Sequence, residues 1–223
     1  MAKQEQRIVK MLGKVSQEIK LFFIGISAVV VAGCSVKGSL PYYHTADFTP
    51  LWNTDTLKQP LHSIAPFSFT DQNGRAINNN TLNGKIYVAD FFFTSCGSIC
   101  PTITNNLLKV QKAFPGDNRV AILSYSVAPW IDSVARLKTY ANRFKMDNRW
   151  HLLTGNKSAI YKLARQSYYA EEELGFTKDS ADFLHTEHVL LIDKAQHIRG
   201  VYNGTLPLEI DRMIDDIKIL LEE

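Results

Sequence analysis

Ile86 to Phe93 reads IYVADFFF, a run that is nearly all apolar and interrupted by Asp90. A strand with one wet face alternates polar and apolar residues, so a continuous run of this length belongs to a strand covered on both sides. A chain that holds such a strand must supply packing layers above and below its sheet. Val120 to Val127 predicts a second buried strand and His151 to Leu153 a short third. Helical patterns lie between and after them. One is expected from Pro101 to about Phe114, with Pro101 at a first helical position where no N–H donor is needed. Another follows Asp132, which is placed to cap it, with Val134, Leu137, Tyr140, Ala141 and Phe144 at helical spacing. A third is expected near Lys157–Gln166, and an amphipathic helix from Leu208 to Leu221 closes the chain. Phe67–Thr70, the turn Asp71-Gln72-Asn73-Gly74 and the return Arg75-Ala76-Ile77 predict an N-terminal hairpin. Val189–Ile192 and Ile198–Tyr202 predict another. Alternation of this kind implies an α/β sandwich of modest size, with a central mixed β-sheet flanked by helices.

The first 33 residues are of a different kind. Leu21 to Gly33 (LFFIGISAVVVAG) is thirteen residues without a charge, preceded by Lys20 and other cations. A helix needs roughly 20 apolar residues to cross a bilayer, so the run fits the apolar region of a secretory signal. It ends at Val31-Ala32-Gly33-Cys34, which looks like a bacterial lipobox whose Cys34 thiol receives a diacylglycerol. The other reading is an uncleaved signal anchor. Either way the remainder is expected on the extracytoplasmic side of a bacterial cell envelope, tethered to the membrane, where thiols can oxidise. Residues 34–62, with Gly38, Pro41, Pro50 and Pro60, read as a tether, and 63–223 as the folded domain. The leader holds five Lys/Arg and two acids out of 25 and 22, so the rest carries twenty of each. That balance excludes a nucleic-acid footprint.

The chemistry lies in Thr94-Ser95-Cys96-Gly97-Ser98-Ile99-Cys100-Pro101, between a buried strand and a helix start. A helix N-terminus offers free N–H groups and partial positive charge, which favour thiolate over thiol. Four residues apart on a regular helix, two Cβ atoms stand about 5–6 Å apart, whereas a disulfide needs about 3.8 Å. Two thiolates sharing one metal need sulfurs within about 4.6 Å when metal–sulfur bonds are near 2.3 Å. A turn through Gly97-Ser98-Ile99 that draws the pair together reaches either state, a disulfide or a metal site.

Phe91-Phe92-Phe93-Thr94-Ser95-Cys96, the three-residue gap and Cys100-Pro101 resemble the Sco/SenC family. Those are thioredoxin-fold proteins that bind copper and assist assembly of cytochrome c oxidase. Ser126-Val127-Ala128-Pro129 with Asp132, Trp150-His151-Leu152-Leu153-Thr154-Gly155, and His185-Thr186-Glu187-His188-Val189 are similar to further family blocks, over about Pro66 to Leu221. One departure is Ala128, where the family usually has Asp before Pro. The resemblance implies a thioredoxin-like sandwich and carries the role of third copper ligand onto His185, beside Cys96 and Cys100. The long patternless stretch from Ser167 to Leu184, with Glu171-Glu172-Glu173, delivers that histidine. The other five, His44, His62, His151, His188 and His197, read as solvated or structural. Asp90 is similar to the buried Asp of thioredoxins, which moves a proton to or from a cysteine; the competing reading pairs it with a lysine or a backbone donor.

Two thiolates suit Cu(I), and an added imidazole makes a site that also holds Cu(II). The resemblance implies a copper metallochaperone that serves the copper-site subunit of cytochrome c oxidase or another envelope copper protein. The alternative is an enzyme, a thiol–disulfide oxidoreductase acting on envelope cysteines through the same redox-active pair. Oxidoreductases of the thioredoxin type use a shorter gap between their cysteines and a cis-proline facing them, and Ser180–His185 holds no proline. A peroxiredoxin expects Pro and Thr where this chain has Ala89 and Phe93.

Overall fold

A computed structural model describes residues 38–55, 57–170 and 187–223. The leader, Cys34, and the stretch 171–186 with His185 lie outside the described residues. Nine strands are described: β1 (Tyr42–Tyr43), β2 (Pro50–Leu51), β3 (Ser68–Thr70), β4 (Ala76–Asn78), β5 (Ile86–Phe92), β6 (Val120–Ser126), β7 (Trp150–Leu153), β8 (His188–Ile192) and β9 (Ile198–Asn203). The helices are α1 (Ile99–Ala113), α2 (Val134–Phe144), α3 (Lys157–Tyr168) and α4 (Pro207–Glu222). Among the described residues, no helix is long and apolar enough to cross a membrane.

The central sheet has the order β7-β6-β5-β8-β9. β5 pairs parallel with β6, and β6 with β7, while β8 runs antiparallel to both β5 and β9. It is the mixed sheet of a thioredoxin-like sandwich. Side-chain alternation divides the core into two layers. Ile86, Val88, Phe92, Ile122 and Leu191 face one way, onto Cys100, Ile103 and Leu107 of α1, Leu137 and Tyr140 of α2, and Met213 and Ile217 of α4. Tyr87, Ala89, Phe91, Leu123 and Tyr125 face the other way, onto Ile160, Leu163 and Tyr168 of α3 and onto Phe69 and Ile77 of the β3–β4 hairpin. Burial on both faces is what the unbroken apolar run of β5 demands.

Two local expectations give way. α1 begins at Ile99, two residues before Pro101, so Cys100 lies in the first turn of the helix. α2 is capped by Ser133, whose hydroxyl accepts from the Arg136 N–H at 3.3 Å. Asp132 turns elsewhere. The segment expected as a tether also folds back over its described part, because Ser39–Glu223 forms one compact unit. β1 pairs with β2, and Leu40 and Ile64 are buried. The buried Arg199 donates to the carbonyls of Leu40 at 2.8 Å and Pro41 at 3.2 Å, and stacks over the Tyr42 ring at 4.2 Å. Three backbone-directed or stacking contacts from one guanidinium explain why Pro-rich composition was a poor guide here.

Candidate dithiol site

β5 and β6 end side by side, and the chain after each forms one wall of the site. Past Phe92 the backbone turns, with the Cys96 N–H donating to the Phe93 carbonyl at 3.2 Å, and then enters α1. Cys96 is half-buried, Cys100 is buried, and both are free thiols. The α1 N-cap residue, Ser98, makes no side-chain capping hydrogen bond. Burial opposes ionisation of Cys96, but the Cys100 thiol and the backbone N–H groups of Cys100, Ser98 and Ile99 all donate to its sulfur, so its pKa falls below the ordinary thiol value. Cys100 shows the opposite: burial pushes its pKa up to about 12, reinforced by its hydrogen bond to Cys96 and by the charges of Cys96 and Asp90. The pair is one acidic, accessible sulfur held by one reluctant, buried sulfur.

Asp132 ties the two walls together. It is fully buried, and its carboxylate accepts from the Thr94 N–H at 3.2 Å, the Thr94 hydroxyl at 2.5 Å and the Ser126 hydroxyl at 2.6 Å. Arg136 adds an outer clasp, donating to the hydroxyls of Thr94 at 2.6 Å and Ser95 at 2.7 Å. Ala128, where an Asp was expected from the resemblance, is itself buried; its N–H donates to Ser126 and its carbonyl accepts from Ile131 and Asp132. The carboxylate in this loop is thus Asp132.

Beneath the cysteines, Asp90 and Ser124 are direct cross-strand neighbours, and the Ser124 hydroxyl donates to Asp90 at 2.5 Å while accepting from the Trp150 indole at 2.9 Å. Among the described residues, Asp90 is paired with Ser124 and not with a lysine or a backbone donor. Burial raises the Asp90 pKa to about 7, with Ser124 acting against the rise. Tyr140, bonded to Thr104 at 3.0 Å, is raised to about 12 by burial and then by the nearby charges of Cys100, Asp90 and Cys96. A buried proton-holding group therefore sits within electrostatic range of the buried thiol.

Of the expected site residues, Cys96, Cys100 and Asp90 come together, while His185 and Cys34 lie outside the described residues. Among the described residues, no cluster of three potential metal ligands forms. Four other histidines have structural partners. His44 Nδ1 accepts from the His62 N–H at 2.9 Å, His62 Nε2 pairs with the Ser167 carbonyl at 2.9 Å, His197 Nδ1 with the His62 carbonyl at 2.8 Å, and His151 Nδ1 with Asp71 at 3.2 Å. His188 packs edge-on against Phe48. Thr94, Asp132, Arg136 and Tyr140 were not singled out as site residues, since only the packing of α2 and the loop before it against the dithiol loop and α1 makes them so.

Residues 55–222 match the model of the SCO1/SenC family. A SCO1/SenC family lipoprotein from Bacillus anthracis is 32% identical, with a TM-score of 0.63 over 74% of this chain and 99% of that one. BsSco, described as a member of the Sco family of cytochrome c oxidase assembly proteins in which a disulfide switch is identified, is 30% identical, with a TM-score of 0.60 over 74% and 96%. ScoI of Bradyrhizobium japonicum, solved with copper bound, is 27% identical, with a TM-score of 0.57 over 71% and 99%.

Proposed function

This chain belongs to the SCO1/SenC family, and from that premise we propose that it binds copper through Cys96 and Cys100 and hands it to the copper-site subunit of cytochrome c oxidase. The observation that carries the reading is the sulfur pair itself: an acidic Cys96 just before α1, coupled to a buried Cys100 in its first turn. A thiolate is the metal ligand, and two of them favour Cu(I). Solved relatives that bind copper or carry a disulfide switch support it. His185 is proposed as the third ligand, on the resemblance alone. Its neutral imidazole would complete a site able to hold Cu(II) as well.

In this reading copper is cargo, and the chain's residues do three things. The N–H groups of Ser98, Ile99 and Cys100 hold Cys96 ready as thiolate. Asp132 and Arg136 fix the loop that carries it. Cys100 gives up its proton when the metal arrives, and Asp90, with a pKa near 7, is placed to take part in that exchange. Oxidation to a Cys96–Cys100 disulfide removes both donors and stops uptake, so redox state switches the site. The Cys34 lipid anchor and an extracytoplasmic location belong to the proposal; a lipoprotein among the relatives supports them.

The asymmetry of the two thiols favours a second reading, since a half-buried acidic sulfur backed by a buried one is also the arrangement of a thiol–disulfide oxidoreductase. One experiment separates them. Reduced protein is titrated with Cu(I) against a competing chelator and assayed for reduction of a disulfide substrate. The copper reading expects one equivalent bound tightly, lost in Cys96→Ser with Cys100→Ser, and weakened by His185→Ala. Unchanged affinity in the double variant would place copper elsewhere. Turnover that survives His185→Ala at full rate, with no tight copper binding in the parent, would leave the enzyme reading in its place.

A further inference from the structure

The chain joins the fold at a fixed point. Leu40 is buried, and the Arg199 guanidinium that donates to the carbonyls of Leu40 and Pro41 is itself held by Asp193 at 3.2 Å and by Glu223 at 2.8 Å. From Leu40 onward the chain is bound to the domain. Leu40 is six residues beyond Cys34, and six residues reach at most about 22 Å. A domain of this size has a radius of gyration of about 16 Å, so a tether of that reach leaves it lying against whatever surface holds Cys34. Arg199 also marks which end lies nearest. Ile192 is opposite both Tyr87 of β5 and Ile198 of β9, so Arg199 sits level with the start of β5, whereas Cys96 follows its end. Four to five strand residues, about 15 Å, separate that level from Phe92.

Trp52 stands at the same end, 68% exposed. β1 leads away from the point of entry and β2 returns to it. Leu51 lies opposite Tyr42, which sets Trp52 next to Pro41, about one strand spacing from the carbonyl that Arg199 holds. We propose that this end of the domain rests on the bilayer that carries Cys34, with Trp52 seated at headgroup level and the dithiol directed away from the lipid. The proposal rests on the membrane anchor read at Cys34 and adds which face meets the membrane. Indole suits that depth, since its apolar body enters the acyl boundary while its N–H stays among polar headgroups. Acyl chains at Cys34 hold the chain at the membrane. The ring, beside the point where the tether ends, keeps the domain from turning about it, so that Cys96 and Cys100 face a partner and not the bilayer.

The test uses the full chain in phosphatidylcholine vesicles whose acyl chains are brominated close to the headgroup, where bromine quenches an indole at that depth. Tryptophan emission of the parent should be quenched. The quenching should be lost in Trp52→Ala, in which Trp130 and Trp150 still emit, and in Trp52→Glu, whose charge the interface rejects. Both variants should keep the parent's melting temperature and Cu(I) affinity, because the side chain is exposed and lies at the other end of the sheet from the sulfurs. A nitroxide on Cys96 of the parent should make no contact with a relaxation agent confined to lipid. Quenching that persists in Trp52→Ala would put another face on the membrane and overturn the proposal, as would contact of the Cys96 label with lipid. Shielding of Trp52 from aqueous iodide that grows with the protein-to-lipid ratio would assign the ring to a second copy and overturn it too. Mass spectrometry of the same preparation separates the proposal from its premise. An acylated Cys34 with Trp52 unquenched overturns the proposal alone, and an unmodified Cys34 in a chain that leaves the membrane overturns the anchor along with it.

Discussion

Asp132 holds Thr94 twice, by its backbone N–H at 3.2 Å and its hydroxyl at 2.5 Å, from a position fully closed to solvent. Two residues further on is Cys96. Asp132→Ala takes the acceptor from the half-buried Thr94 N–H and from the Thr94 and Ser126 hydroxyls, so a loss of about 2–4 kcal/mol is expected in chemical denaturation. Thr94→Val keeps the backbone bond and should cost about 1 kcal/mol. The alanine variant should also alkylate Cys96 more slowly at neutral pH, because the sulfur no longer sits over the first N–H groups of α1. A stability loss with an unchanged alkylation rate would reduce Asp132 to a structural role.

The two thiols of the reduced protein should react in strict order. Cys96 is half-buried with a lowered pKa, whereas Cys100 is buried and raised to about 12. Only thiolate is nucleophilic. Iodoacetamide at pH 8, followed by peptide mass spectrometry, should modify Cys96 at least about tenfold faster than Cys100. Equal rates would mean that the α1 N-terminus does not hold Cys96 as described.

Much of this was written in residue order. The apolar run of β5, the turn at Asp71–Gly74 and the strand–helix junction at Cys96 are local signals, and each leads to the element observed. What escaped detection depends on contacts between distant residues. Asp132 and Ser133 are both good capping types, and the sequence favoured the first; the outcome was decided by Thr94, 38 positions away, which claims the carboxylate. Residues 39–62 carry no periodicity to show that Arg199 grips the Leu40 and Pro41 carbonyls, 159 and 158 positions away. Tyr140 reads as one more apolar position on a helix, and only its nearness to Cys100 gives it a part in the site.

Asp90 has a clear pH signature. Its pKa rises from 3.8 to about 7 on folding because the carboxylate is buried. Between those values the folded state binds more protons than the unfolded one, so stability falls as pH rises through the window, and the full cost is present above about pH 7. A shift of that size is worth on the order of 4 kcal/mol. Asp90→Asn accepts the same Ser124 hydroxyl without a titrating proton. It should be more stable than the parent at pH 8, little different at pH 4, and flatter in between when melting temperature is scanned against pH. A stability difference between Asp90→Asn and the parent that is the same at pH 4 and pH 8 would contradict the raised pKa.

Copper affinity should depend on pH with a slope that changes along the scale. Both thiols must lose their protons to bind metal. Above the lowered pKa of Cys96, that sulfur is already ionised, and only Cys100, at about 12, still carries a proton to be displaced. Each unit of pH should then raise the Cu(I) binding constant about tenfold. Below the Cys96 pKa two protons leave for each metal bound, so the dependence steepens toward a hundredfold per unit, before any contribution from His185. Competition titrations from pH 5 to 9 measure the curve directly. Cys100→Ala should remove the tenfold dependence on the alkaline side and lower affinity throughout. A flat profile above pH 7 in the parent would require Cys100 to be ionised before copper arrives, against the burial that holds its proton in place.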